Sequence, residues 1–227
     1  MSQRALVVDD DLITCKVIEA ILHSADMEAL ISTDSAHAVE LLRNQKFDAV
    51  FLDVNMPSPD GIELTRLIRA SGSNQKTPVI IVSGEEDPSV LGRGFQAGAT
   101  FFLFKPINRE RLLNLARATP TTAPRERRHY QRVVVGRNVQ VLLEADVLEG
   151  ETIDVSLNGL LIRAARTFAV GSRVSVRLFL SPDTQPVTAD GTVVRLAGPH
   201  MGIHLEYIAK DDGERLQQFL LPLILAL

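Results

Sequence analysis

Short apolar runs alternate with stretches of helical period through the first half of the chain. Ala5 to Val8 reads as a buried strand, Leu12 to His23 as a helix, Glu28 to Ile31 as a strand and Ser35 to Asn44 as a helix with Ser35 near its cap. The alternation continues with strands at Asp48 to Leu52, Pro78 to Val82 and Thr100 to Phe104, and helices at Gly61 to Ala70, Ser89 to Ala97 and Asn108 to Arg117. Five strands alternating with five helices predict an α/β doubly wound parallel sheet, whose ligand crevice lies at the carboxyl ends of the strands.

After residue 125 the period changes to strand after strand: Val133 to Val135, Asn138 to Leu143, Glu151 to Val155, Leu160 to Ala164, Arg173 to Leu180, Val187 to Leu196 and Met201 to Tyr207. Gly150, Gly159, Gly171, Gly191, Gly198 and Gly202 are read as turns or bulges between or within these strands. One helix follows, from Asp211 to Leu221, and Pro222 is expected to end or kink it. The expectation is a small antiparallel β-barrel with a C-terminal helix. Between the halves, Thr119-Pro120-Thr121-Thr122-Ala123-Pro124 lacks the apolar content to fold. The expected division is therefore one domain over 1–118, a linker over 119–124 and a second domain over 125–227.

Charge narrows the function. A net charge of −4 argues against generic nucleic-acid binding, which usually leaves a strongly basic domain. The single cysteine, Cys15, is expected to pack in the core, and it leaves no intrachain disulfide, as suits a reducing cytoplasm. No signal peptide is read at the start, and the apolar run from Phe219 to Leu227 is too short to cross a bilayer. That tail is expected to pack along the barrel, with a homodimer contact as the alternative. The histidines show no metal-ligand spacing.

The predicted strand ends of the first half carry the chemistry: Asp9-Asp10-Asp11, Asp53, Ser83 and Lys105-Pro106. Taken alone, the three aspartates suit a helix cap and Asp53 suits a turn; together they put several carboxylates in one crevice. Their repulsion calls for a cation, and a hard ion such as Mg²⁺ fits while leaving room for a phosphoryl group. Asp53 then serves as a nucleophile toward phosphorus, with Lys105 neutralising charge and Ser83 bonding a phosphoryl oxygen. The order Asp9-Asp10, Asp53-Val54-Asn55-Met56-Pro57, Asp60-Gly61, Ser83-Gly84, Gly98-Ala99 and Phe102-Leu103-Phe104-Lys105-Pro106 resembles the receiver domain of two-component response regulators, a flavodoxin-like fold. The resemblance covers residues 3–118. It implies phosphoryl transfer from a sensor histidine kinase to Asp53, and Mg²⁺ held by Asp10, Asp53 and the Asn55 carbonyl, with Asp9 acting through water. It also implies a switch in which Ser83 moves to the phosphoryl group and Phe102 turns inward, and a cis Lys105-Pro106 bond.

In the second half Arg125-Glu126-Arg127-Arg128 leads to His129-Tyr130-Gln131-Arg132, and Asp154-Val155-Ser156-Leu157-Asn158-Gly159 follows. Guanidinium forks match phosphate oxygens or a purine edge. Asp154 can accept from guanine N–H groups, Ser156 can contact base or phosphate, and Gly159 allows a turn other residues avoid. Taken singly, a pair of arginines four apart is usually a solvated face, and Asp-x-Ser-x-x-Gly is usually only a turn. With Gly191-Thr192-Val193-Val194-Arg195 and Gly202-Ile203-His204-Leu205, they resemble the PilZ domain, which binds cyclic di-GMP. By that resemblance Arg128 and Arg132 hold phosphate and guanine, Asp154, Ser156 and Gly159 line the opposite side, and Arg127 adds a contact.

The expectation is a cytoplasmic response regulator that couples phosphorylation to cyclic di-GMP and acts on a downstream protein. The alternative is an interaction adaptor whose arginines are spent on carboxylates such as Asp154 and Glu206. No Gly-Gly-Asp-Glu-Phe, Glu-Ala-Leu or His-Asp signature of nucleotide turnover is found, so no enzymatic output beyond the receiver's own phosphoryl transfer is expected. DNA binding is not expected either, for no helix-turn-helix pattern follows the receiver.

Overall fold

The computed structural model describes residues 3–70, 72–84, 88–118 and 132–225. The chain forms two compact units. The linker at 119–124 lies outside the described residues, as do Arg127 and Arg128.

The first unit alternates β1 (Gln3–Val8), α1 (Leu12–His23), β2 (Met27–Ser32), α2 (Ser35–Asn44), β3 (Ala49–Asp53), α3 (Gly61–Ala70), β4 (Val79–Ser83), α4 (Pro88–Ala97), β5 (Phe101–Phe104) and α5 (Arg109–Ala118). All five strands are parallel in the order β2-β1-β3-β4-β5. The central strands β3 and β4 are buried at every position, as expected where helices cover both sheet faces. The order places β1 beside β3, so the ends of those strands meet in one crevice. The cap of α2 is Asp34, the neighbour of Ser35: the Asp34 carboxylate accepts from the backbone N–H groups of Ala36 and His37. A carboxylate one residue earlier reaches the first-turn donors, which frees the Ser35 hydroxyl for a tertiary bond.

The second unit consists of β6 (Val133–Val134), β7 (Asn138–Leu143), β8 (Asp146–Ser156), β9 (Gly159–Ala164), β10 (Arg173–Leu178), β11 (Val187–Ala197), β12 (His200–Ile208) and α6 (Lys210–Leu225). The antiparallel order β8-β7-β10-β11-β12-β9 closes on itself because β8 also pairs with β9, giving a six-stranded barrel; β6 adds beside β8. Closure removes open edges, and alternate residues such as Val141, Val155, Ile162, Val176, Val193 and Met201 fill the interior.

Two details depart from the local reading of the sequence. Gly150 lies inside β8 rather than at its start, because a Cβ there would stand 2.7 Å from the Arg163 carbonyl oxygen; the residue answers to close strand approach, not to a turn. Pro222 does not end α6, which continues to Leu225. Leu216, Leu220, Leu221 and Ile224 form one buried stripe running past the exposed proline, and that apolar burial outweighs the missing N–H.

Candidate functional site

The end of β1 divides its three aspartates between separate tasks. Asp11 caps α1, accepting from the N–H of Ile13 at 3.0 Å and of Thr14 at 3.2 Å and from the Thr14 hydroxyl at 2.8 Å. Those donors hold the exposed Asp11 carboxylate below its ordinary range, the Thr14 hydroxyl most of all. The helix-cap role therefore falls to one residue of the three and leaves Asp9 and Asp10 for the crevice. Asp9, Asp10 and Asp53 present oxygens within 4.8 Å of one another.

Asp9 and Asp53 are almost wholly buried, at 1 % and 2 % exposure, although a buried carboxylate needs compensation. One oxygen of each is provided for: Asp9 Oδ1 accepts from Asp11 N at 3.0 Å, and Asp53 Oδ2 from Asn55 N at 2.7 Å. The other two, Asp9 Oδ2 and Asp53 Oδ1, each lie 2.9 Å from the Lys105 ammonium. Neither receives a well-aligned hydrogen bond, so the contact is ionic rather than directional. Burial raises the pKa of Asp9, and the nearby Asp53 charge adds to it, against the lowering by Lys105 and Asp11. Burial alone would lower the Lys105 pKa, but the two carboxylates outweigh it and hold the ammonium above its usual range. Two buried carboxylate oxygens without directional partners, beside exposed Asp10, are a donor set that suits a hard divalent cation.

Ser83 ends β4 fully buried, one register step from the Asp53 partner Val82. The Lys105-Pro106 bond is cis. Phe102 is 2 % exposed, with its ring 4.8 Å from that of Phe95 and 6.2 Å from that of Phe104, so it already points inward. Cys15 packs in the core as expected, its Sγ 3.4 Å from the Asp9 carbonyl oxygen and its pKa pushed by burial to about 11.

Sequence reasoning missed the frame that holds Asp53. Ser35 donates its hydroxyl to the Pro57 carbonyl at 2.9 Å, tying α2 to the segment after β3. Glu63 N donates to Asp60 Oδ1 and Asp60 N to Glu63 Oε2, a reciprocal cap on α3 that the Asp-x-x-Glu spacing could have revealed. Gly61 packs directly on the Asp53 backbone, where a Cβ would collide with the Asp53 carbonyl oxygen. Gly61→Ala is expected to lower stability by about 1–3 kcal/mol, as overpacking does. It should also slow phosphorylation at Asp53; urea unfolding together with phosphate incorporation checks both.

In the barrel, the expected ligand residues fall on the β8–β9 hairpin and on the chain leading into β6. Arg132 donates Nε–H to Asp154 Oδ1 at 2.6 Å, with side-chain exposures of 36 % and 18 %. The carboxylate expected to receive guanine N–H groups thus receives the arginine. Ser156 is fully buried, and its hydroxyl lies 3.0 Å from both Asn158 Oδ1 and the Gly159 carbonyl, closing its own turn. Gly159 differs from expectation, because its φ is not left-handed. A Cβ there would stand 2.6 Å from the Ile203 carbonyl oxygen, so the glycine serves the close approach of β9 to β12. Glu206, the other carboxylate considered for the arginines, accepts from the Thr192 hydroxyl at 2.8 Å.

Comparison with known proteins agrees with both halves. The family model of the response regulator receiver domain matches residues 5–117, and that of the PilZ domain matches residues 126–221. Two-component response regulator ARR12 of Arabidopsis thaliana is 36 % identical over 51 % of this chain and 19 % of its own length. Cell cycle transcriptional regulator CtrA of Caulobacter vibrioides is 28 % identical over 69 % of this chain and 65 % of its own. This chain therefore spans less than two thirds of either relative. The crystal structure of a two-component response regulator from Clostridium difficile superposes with a TM-score of 0.50 at 20 % identity, covering 54 % of this chain and 99 % of that one, a likeness of fold.

Proposed function

Because the chain belongs to the two-component response regulators and carries a receiver domain followed by a PilZ domain, we propose that it accepts a phosphoryl group on Asp53 and binds cyclic di-GMP in the barrel. The observation that carries the first part is the pair of buried oxygens, Asp9 Oδ2 and Asp53 Oδ1, held by one ammonium without directional bonds.

Asp53 Oδ1 attacks phosphorus; the P–N bond of a kinase phosphohistidine breaks as the Asp53 O–P bond forms. Lys105 stands beside the attacking oxygen and offsets charge on the transferring group. Asn55 N fixes the other oxygen of Asp53, so the nucleophile is held in one orientation. A Mg²⁺ held by Asp10, Asp53 and the Asn55 carbonyl, with Asp9 through water, would offset the negative charge of the phosphoryl oxygens. Ser83, at the end of β4, is the residue we assign to the arriving phosphoryl group, and Phe102 reports its movement.

For the barrel, Arg128 and Arg132 supply the guanidinium groups, with Arg127 beside them, and Asp154 receives the base. Ser156 and Gly159, on the β8–β9 hairpin, line the side opposite the arginines. The domain limits follow as 1–118 and 125–227 about a 119–124 linker. A cytoplasmic location for this chain, a sensor histidine kinase upstream and a protein partner downstream complete the proposal. A ligand-driven change in either site must act reciprocally on the other if the two are coupled.

The Arg132–Asp154 ion pair favours a second reading, an adaptor whose barrel binds no nucleotide. Calorimetric titration of the full chain with cyclic di-GMP separates them, repeated after acetyl phosphate treatment with Mg²⁺. The proposal expects saturable binding whose affinity shifts on phosphorylation; no heat in either state leaves the adaptor.

A further inference from the structure

Two β-bulges in the barrel stand at the two ends of a single cross-strand row. In β8 the register steps from Thr152 paired with Ile162 to Asp154 paired with Leu161, leaving Ile153 as the extra residue. In β11 it steps from Val193 paired with Ile203 to Arg195 paired with Gly202, leaving Val194 as the extra residue. Leu161 in turn pairs with Gly202. Asp154, Leu161, Gly202 and Arg195 thus lie side by side across β8, β9, β12 and β11, and Val134 of β6 extends the row beyond Asp154.

Side-chain direction alternates along a strand, so without the bulges Asp154 would share the inward face of Thr152, and Arg195 that of Val193. Thr152 and Val193 are buried, and so are Ile162 and Ile203 opposite them. Each bulge reverses the phase and turns one charged residue outward, a use of bulges that re-aims a side chain. Gly202 completes the arrangement. A Cβ on Gly202 would stand 2.6 Å from Arg195 Cγ and 2.9 Å from its Nε, so the arginine stem lies across β12, over the missing side chain. Among the described residues Arg195 has no hydrogen-bond or ion-pair partner, whereas Arg132 has Asp154. Only three strand spacings, about 14 Å, separate the β11 and β8 backbones.

We propose that Arg195 is a further ligand-binding residue of the nucleotide site, reaching it from the flank opposite Arg132 and donating its planar fork to the O6 and N7 edge of a guanine. This inference rests on the cyclic di-GMP reading of the barrel. A cyclic dinucleotide carries two bases, and a row with one guanidinium beside Asp154 and another over Gly202 gives a donor for each end. Arginine is the residue whose fork pairs with a guanine edge at two points; lysine offers only a point charge.

The experiment is calorimetric titration of the full chain and its variants with cyclic di-GMP and, as the base control, cyclic di-AMP. Arg195→Ala is expected to weaken cyclic di-GMP binding about tenfold and to narrow the preference for guanine over adenine. Arg195→Lys should restore little of it. Gly202→Ala should weaken binding in the unmodified chain and add nothing in the Arg195→Ala background, with thermal melts reporting that each variant folds. Unchanged cyclic di-GMP binding by Arg195→Ala overturns this inference alone. No binding by the unmodified chain overturns it together with the nucleotide reading.

Discussion

Asp53→Asn should reduce phosphoryl incorporation from acetyl phosphate by on the order of 10³-fold or more, to the background of the chain, while the fold persists. The amide keeps an acceptor for Asn55 N and nearly the same volume, so the 2.7 Å bond and the packing of β3 survive. What is lost is the charged oxygen that faces Lys105 and has no directional partner. Lys105→Ala tests the same crevice from the other side: in Mg²⁺-free buffer it leaves Asp9 and Asp53 as two buried carboxylates with no cation, and removal of one partner from such a group is strongly destabilising. The two variants therefore separate chemistry from stability. Phosphate-affinity gels or intact-mass measurement read the first effect, and urea midpoints the second. A phosphorylated Asp53→Asn chain would move the acceptor elsewhere and remove the basis of the proposed relay.

The receiver half is largely legible in the sequence. Its central strands are buried on both faces, so β3 and β4 read as unbroken apolar runs, and the acids, the serine and the lysine stand where those runs end. Helices α1, α2 and α3 fall where the apolar period places them. The barrel is less legible, because its limits depend on contacts between strands distant in sequence. The expected strand Glu151 to Val155 starts instead at Asp146, since the β7–β8 turn places Glu144 at φ +53 and carries no glycine or proline to announce it. The bulges at Ile153 and Val194 leave no local mark either, yet they decide which way Asp154 and Arg195 point. The motif Asp-x-Ser-x-x-Gly is readable as a pattern but not as a division of labour. Asp154 is partly exposed and takes an arginine, while the Ser156 hydroxyl closes the hairpin and Gly159 allows its approach to β12.

That division sets the second large effect: Arg132→Ala should weaken cyclic di-GMP binding about 100-fold, and Asp154→Asn should weaken it less. Truncating one member of a hydrogen-bonded charge pair at a binding surface costs about 2–5 kcal/mol, and each 1.4 kcal/mol is a factor of ten. In Arg132→Ala the ligand loses a guanidinium fork, and its phosphates also meet the Asp154 carboxylate with no cation to mask it. Asp154→Asn removes that repulsion and keeps an acceptor, so part of the affinity remains. The 2.6 Å contact uses only the Nε–H of Arg132, which leaves the two terminal NH₂ groups to a ligand. The pair then works as preorganisation, fixing the fork before the nucleotide arrives, rather than as a block. The opposite ranking is just as readable by titration: if the pair shields the site, Asp154→Asn should bind more tightly than the unmodified chain, because it releases the arginine. Equal affinities in all three proteins would assign recognition to residues other than this pair.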